Sequence, residues 1–229
     1  MMGDVAEELD VAQLAGRARE LVARVTGAGA GRAVLGITGA PGAGKTTLVE
    51  RLLVELADTP PARVPGDWVA HVPMDGFHLS DAQLDRLGLR DRKGAPETFD
   101  AAGYAALLER VRSETAGTVY APGFERTLEQ PIAAALAVPP SARLVVTEGN
   151  YLLVDDPEWL RVRAAMDEVW YCDLSDRVRL ERLVARHVEF GKSPDHAAAW
   201  VAAVDEGNAR LVAQTRARAD LVVTLSDSR

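Results

Sequence analysis

Apolar residues at Val11, Leu14, Ala18, Leu21, Val22 and Val25 recur at helical spacing, so residues 11–25 read as an amphipathic helix, with Asp10 as its cap. A glycine-alanine stretch at 27–31 ends it. Ala33–Thr38 is a short, almost unbroken apolar run, the pattern of a strand buried on both faces. A helix over 46–57 and a Pro/Gly-rich connection at 59–67 lead to a second strand at 68–73. After a polar segment, 80–98, comes the helix Ala101–Ser113, for which Asp100 is placed as N-cap. Further strands are expected at 144–147, Glu168–Cys172 and Leu221–Leu225, separated by helical stretches. Strands alternating with helices predict an α/β protein: a mostly parallel sheet with helices on both faces.

Composition narrows the class. The 229 residues suit one α/β domain, and 48% hydrophobic with 26% charged residues is a globular balance. A formal charge of −8, from 34 acidic against 26 basic residues, would repel phosphate backbones and anionic membranes, so neither nucleic acid nor membrane is an expected partner. The single cysteine, Cys172, lies in an apolar strand and is expected in the core. The acidic start, with no apolar run near ~18 residues, favours the cytoplasm.

Chemistry enters directly after the first strand. Gly39-Ala40-Pro41-Gly42-Ala43-Gly44-Lys45-Thr46 fits the phosphate-loop pattern in every fixed position, between a predicted strand and a predicted helix, with Thr47 following. Glycines let backbone N–H groups converge on phosphate oxygens, Lys45 would reach the β- and γ-phosphates, and the Thr46 hydroxyl would ligate Mg²⁺. No Asn-Lys-x-Asp guanine-reading element is present, which favours ATP. The fold class is therefore expected to be a P-loop NTPase three-layer sandwich.

Two carboxylates end apolar strands and precede a glycine. Asp75 should sit at the carboxyl edge of the sheet near the phosphates, where it could take the proton of an acceptor hydroxyl; an Asp-Gly pair also suits a plain turn. Glu148 has the placement of a carboxylate holding Mg²⁺ or its water shell, or of a strand-end acid bonding nearby backbone. Arg92, Lys93 and Glu97 crowd a loop before Asp100, and Tyr120 and Arg126 flank a Pro-Gly turn on another connection; all five are acceptor-site candidates. His78, three residues past Asp75, is a sixth. Arg179, Arg182 and Arg186 recur on one face of a helix within about residues 177–196, with Leu180, Leu183 and Val184 turned inward. Such a helical lid would place Arg182 and Arg186 on the transferring phosphoryl group. His71, His78, His187 and His196 show no metal-ligand spacing with Cys172.

Several of these segments together resemble the phosphoribulokinase, uridine kinase and pantothenate kinase family. They are 39–47, Met74-Asp75-Gly76-Phe77, 92–100 (Arg-Lys-Gly-Ala-Pro-Glu-Thr-Phe-Asp), Thr147-Glu148-Gly149-Asn150-Tyr151 and Ala219-Asp220. The resemblance implies a parallel-sheet kinase with an acceptor-site lobe near residues 92–100, an arginine-bearing lid, and Asp75 at the catalytic-base position. The second and third segments are most similar to bacterial pantothenate kinases, which are longer. Uridine kinases have Ser-Phe-Tyr after the equivalent aspartate, where this chain has Gly76-Phe77-His78.

These readings combine into an ATP- and Mg²⁺-dependent kinase. Its partner is a small-molecule hydroxyl acceptor (a nucleoside, pantothenate, a sugar or a sugar phosphate), with a homodimer compatible with the chain. The competing reading is a nucleotide-hydrolysing switch acting on a protein partner.

Overall fold

The computed structural model describes residues 6–29, 31–61 and 67–225. Residues 1–5 of the acidic start, residue 30 of the glycine-alanine stretch and residues 62–66 of the Pro/Gly-rich connection lie outside the described residues.

A short strand, β1 (Glu7–Leu9), precedes helix α1 (Val11–Gly27). Asp10 caps α1 through a reciprocal pair: its carboxylate accepts from Gln13 N at 2.8 Å, and Gln13 Oε1 accepts from Asp10 N at 3.0 Å. Then follow β2 (Ala33–Thr38), α2 (Lys45–Ala57), β3 (Val69–His71), a 3₁₀ turn Met74–Phe77, α3 (Asp81–Leu87) and α4 (Ala101–Ser113). An antiparallel hairpin, β4 (Val119–Glu125) with β5 (Gln130–Val138), comes next. The chain continues through β6 (Leu144–Glu148), α5 (Pro157–Ala164), β7 (Glu168–Cys172), α6 (Asp176–Glu189), α7 (Pro194–Trp200), a π-helical turn Val201–Asp205, α8 (Glu206–Ala213) and β8 (Leu221–Leu225).

Six strands form one parallel sheet in the order β1-β8-β7-β2-β6-β3. Strand side chains alternate between faces. Leu35, Ile37, Val146 and Trp170 pack under α1 and α2, whereas Val34, Val145, Val169 and Val222 pack with α4, α5 and the hairpin. All six residues of β2 are buried, which explains its unbroken apolar run. The chain leaves β2 toward β6 and β3 on one side and β7 and β8 on the other, so the loop after β2 lies at the switch point where such sheets bind ligands. No described helix is long and apolar enough to cross a membrane.

One expectation is corrected: residues 120–125 lie in strand β4 and Arg126 in the hairpin turn, in place of the expected loop connection. The polar segment 80–98 contains α3, capped by Ser80. Pro122 is tolerated in β4 because the ladder breaks there: Ala121 pairs with Leu136, but Gly123 pairs with Ile132.

Candidate phosphoryl-transfer site

The phosphate loop joins β2 to α2. Gly42 at its apex has φ 80°, and a Cβ there would stand 2.7 Å from Leu183 Cγ and 2.9 Å from the Arg179 carbonyl. Only glycine meets both the left-handed backbone and the close approach of α6. Lys45 Nζ spans the loop, donating to Gly39 O at 3.0 Å and Ala40 O at 3.2 Å. Burial lowers the Lys45 pKa, with Glu148, Cys172 and Asp75 opposing that shift and Arg186 adding to it. Pro41 and Ala43 are buried, while Thr46 and Thr47 at the start of α2 are exposed.

Thr46 Oγ1 donates to Glu148 Oε2 at 3.1 Å, and Glu148 Oε1 lies 3.8 Å from His71 Nε2. Burial raises the Glu148 pKa, Lys45 counters this, and Asp75 adds to it. Burial pushes the His71 pKa down to about 4 against the pull of Asp75, so the ring is neutral at ordinary pH. Among the described residues no group of three or more His, Cys, Asp or Glu could hold a metal ion. A hydroxyl beside one carboxylate nevertheless fits Mg²⁺, which usually takes one or two protein oxygens together with phosphates and water.

Asp75 lies in the 3₁₀ turn after β3. Gly76 does not adopt positive φ; it is glycine because any Cβ would collide with the Pro122 carbonyl of β4. The Asp-Gly pair thus seats the Asp75 turn against the hairpin. His78 continues the same device: its backbone N–H donates to Asp75 O at 3.3 Å and its Nδ1 donates to the same carbonyl at 2.9 Å. With Nδ1 committed as donor, the neutral ring keeps Nε2 as an acceptor. The His78 ring lies 4.0 Å from Phe99 and 4.9 Å from Phe124, centroid to centroid, and burial lowers its pKa while Asp75 opposes.

The acceptor-loop candidates divide. Lys93 Nζ pairs with Asp81 Oδ1 at 2.8 Å, donates to Glu129 O at 2.5 Å and sits 5.7 Å from the Phe124 ring centroid, beside His78. Arg92 and Glu97 pair with each other at 2.5 Å on the surface. Asp100 caps α4, accepting from Gly103 N at 2.8 Å. On the hairpin, Tyr120 is 60% exposed. Arg126 at the hairpin tip makes no ion pair among the described residues, yet its charge acts on Glu148.

The three arginines of α6 have different fates. Arg182 Nη1 lies 3.4 Å from where a Cβ on Gly44 would stand, and Arg186 acts on Lys45; neither makes an ion pair among the described residues. Arg179 is 2% exposed and already engaged. It bonds Asp176 (3.1 Å), Glu206 and, through Nη1 at 3.4 Å, Pro41 O of the phosphate loop. Burial alone would lower its pKa, but the hydrogen bonds to Glu206 and Asp176 outweigh that and raise it. Leu183 is buried as expected, while Leu180 and Val184 are half-buried. Cys172 is in the core, its thiol pushed up to about 12 by burial.

Sequence reasoning missed His71 and the distinct role of Arg179. A signal existed for His71: it shares strand parity with Val69, whose face packs under α2.

The chain as a whole is similar to known proteins. The profile of the "Phosphoribulokinase / Uridine kinase family" matches residues 34–228. The "Uncharacterized protein YggC" of Escherichia coli (strain K12) is 35% identical over 86% of this chain and 79% of its own length. The "Putative uridine kinase C227.14" of Schizosaccharomyces pombe is 34% identical over 70% of this chain and 68% of its own. A crystal structure described as a "putative fructose transport system kinase" from Silicibacter sp. TM1040 superposes with a TM-score of 0.82 and 36% identity, covering 93% of this chain and 98% of that one.

Proposed function

The chain belongs to the phosphoribulokinase and uridine kinase family and is a P-loop kinase of that type, and from this premise we propose that it transfers the γ-phosphoryl group of ATP to a hydroxyl of a small metabolite. One arrangement carries this reading: Lys45 and Thr46 open the helix after β2, Glu148 ends the adjacent β6 and Asp75 follows the next strand, β3, so the phosphate loop and both carboxylates meet at one carboxyl edge of the sheet. A nucleotide switch needs the loop and a metal ligand. It has no need of a second carboxylate, Asp75, in the turn that His78 closes.

In this reading the loop amides and Lys45 hold the β- and γ-phosphates, and Asp75 orients the acceptor hydroxyl and takes its proton. The acceptor oxygen bonds to the γ-phosphorus as the bond to the β,γ-bridging oxygen breaks, and ADP leaves with that electron pair. Mg²⁺, held by Thr46 and Glu148, would supply charge neutralisation for the phosphates. Arg182 beside Gly44, Arg186 acting on Lys45 and Arg126 acting on Glu148 make no ion pair among the described residues and would stabilise charge on the phosphoryl group or an anionic acceptor. His78 Nε2 is an acceptor for a second hydroxyl. Lys93, Arg92, Glu97 and Tyr120 are the further candidates for contacting the acceptor.

The test is a coupled ATP-consumption screen over nucleosides, pantothenate, sugars and sugar phosphates, with the product's mass measured. Uridine and fructose head the panel because relatives carry those names. A product heavier by one phosphoryl group is expected from at least one acceptor. ATP hydrolysis with no phosphorylated acceptor across the panel would overturn the reading in favour of a switch.

A further inference from the structure

Among the described residues, one buried side-chain nitrogen lacks any hydrogen-bond partner: His71 Nε2. A buried polar atom left unpaired is costly, and where one persists it marks a water or an ion that completes it. The strand register says where this one points. His71 ends β3 opposite Val146 of the parallel strand β6, so its side chain shares the face of Val146 and Glu148, the face covered by α2. Nε2 faces Glu148 Oε1 at 3.8 Å, too far for a hydrogen bond, while Glu148 Oε2 is occupied by Thr46.

We propose that His71 is a positioning residue of the divalent-cation site, its Nε2 accepting a hydrogen bond from a water in the hydration shell of a Mg²⁺ held by Thr46 and Glu148. The inference rests on the proposed metal role of those two residues. Mg²⁺ gives up water reluctantly and is held largely through its hydration shell, so a fixed acceptor for one of those waters selects the ion's place. Direct ligation would be the chemistry of softer metals. A histidine that merely pairs with a fixed structural water would sit here indifferent to metal.

The experiment measures ADP affinity by calorimetry over a Mg²⁺ series for the full chain, His71→Phe and His71→Gln. His71→Phe is expected to need about tenfold more Mg²⁺ for the metal-dependent tightening of ADP, with metal-free ADP affinity and Tm unchanged. His71→Gln, whose amide reaches the same position, should recover most of the loss. Wild-type Mg²⁺ dependence in His71→Phe overturns the role of His71 alone. ADP binding by the wild type that ignores Mg²⁺ overturns the metal assignment of Thr46 and Glu148, and His71 with it. Should His71→Phe not fold, pulsed EPR on the Mn²⁺·ADP complex decides. A weak histidine-nitrogen coupling that disappears in His71→Gln supports the water-mediated contact; a strong, directly bonded coupling, or none in the wild type, overturns it.

Discussion

Asp75→Asn is expected to lower phosphoryl transfer by about 10²- to 10⁴-fold, the range of a positioned general base, while ADP affinity stays within about twofold of wild type. The asymmetry follows from the geometry. The turn at Met74–Phe77 is held by backbone: His78 bonds the Asp75 carbonyl, not its carboxylate, and Gly76 packs on Pro122. An amide of the same shape therefore leaves the turn and the phosphate loop in place and removes the proton acceptor together with its negative charge. Single-turnover kinetics with the acceptor identified by the screen, beside ADP calorimetry, separates the two quantities. Turnover near the wild-type rate would sink the base assignment.

Arg179→Met carries the second large effect, on stability first and catalysis second. Its guanidinium bridges Asp176, Glu206 and the Pro41 carbonyl at 2% exposure, and removing it strands Glu206, whose side chain is 26% exposed. Breaking a buried ion pair by deleting one partner costs about 3–5 kcal/mol, and the partial solvation of Glu206 favours the low end, about 3 kcal/mol. For a chain of this size that is a fall in Tm of roughly 6–12 °C. Because α6 bears on Gly42 through Arg179 and Leu183, the loop loosens as well, and ADP affinity should drop by about tenfold. Arg179→Lys should not restore either quantity, since one ammonium cannot span three acceptors in different directions. Adding Glu206→Gln to Arg179→Met should recover part of the stability, because the stranded charge is gone. A variant melting within about 1 °C of wild type would show that the bridge contributes little.

How far the chain could be read without coordinates depended on how local each signal was. Helix α4 was legible to the residue because its cap, Asp100, and its apolar spacing both lie within a few positions. Strands β2, β6 and β7 were legible because every residue in them is buried, which leaves runs dominated by apolar side chains. Strand β1 was not: three residues, two of them glutamates, hold no pattern, and the strand exists because β8 offers it an edge. The hairpin was hidden by its own irregularity. Pro122-Gly123 reads as a turn, and the alanine-rich β5 has positive φ at Ala134, where the ladder breaks.

In the site, Lys45, Thr46, Asp75 and Glu148 were visible because each stands at a strand end or in a fixed motif. Arg179, Arg182 and Arg186 were indistinguishable by spacing, and only the crossing of α6 over Gly42 buries the first and spares the others. Lys93 and Arg92 are neighbours in sequence, yet one turns toward His78 and the other toward Glu97, a division set by the placement of Asp81 and Phe124.

The four tryptophans divide in a way that makes the molecule its own optical instrument. Trp68, Trp159 and Trp170 are locked in the core at 2%, 3% and 0% exposure, so their emission reports only on global unfolding. Trp200 alone lies half-buried at the end of α7, under Lys192 Nζ at 5.1 Å and beside His196, on the helix pair whose other member bears Arg182 and Arg186. A cation held over an indole alters its emission, so light from this one ring follows the helix pair without any label and without any chemistry taking place.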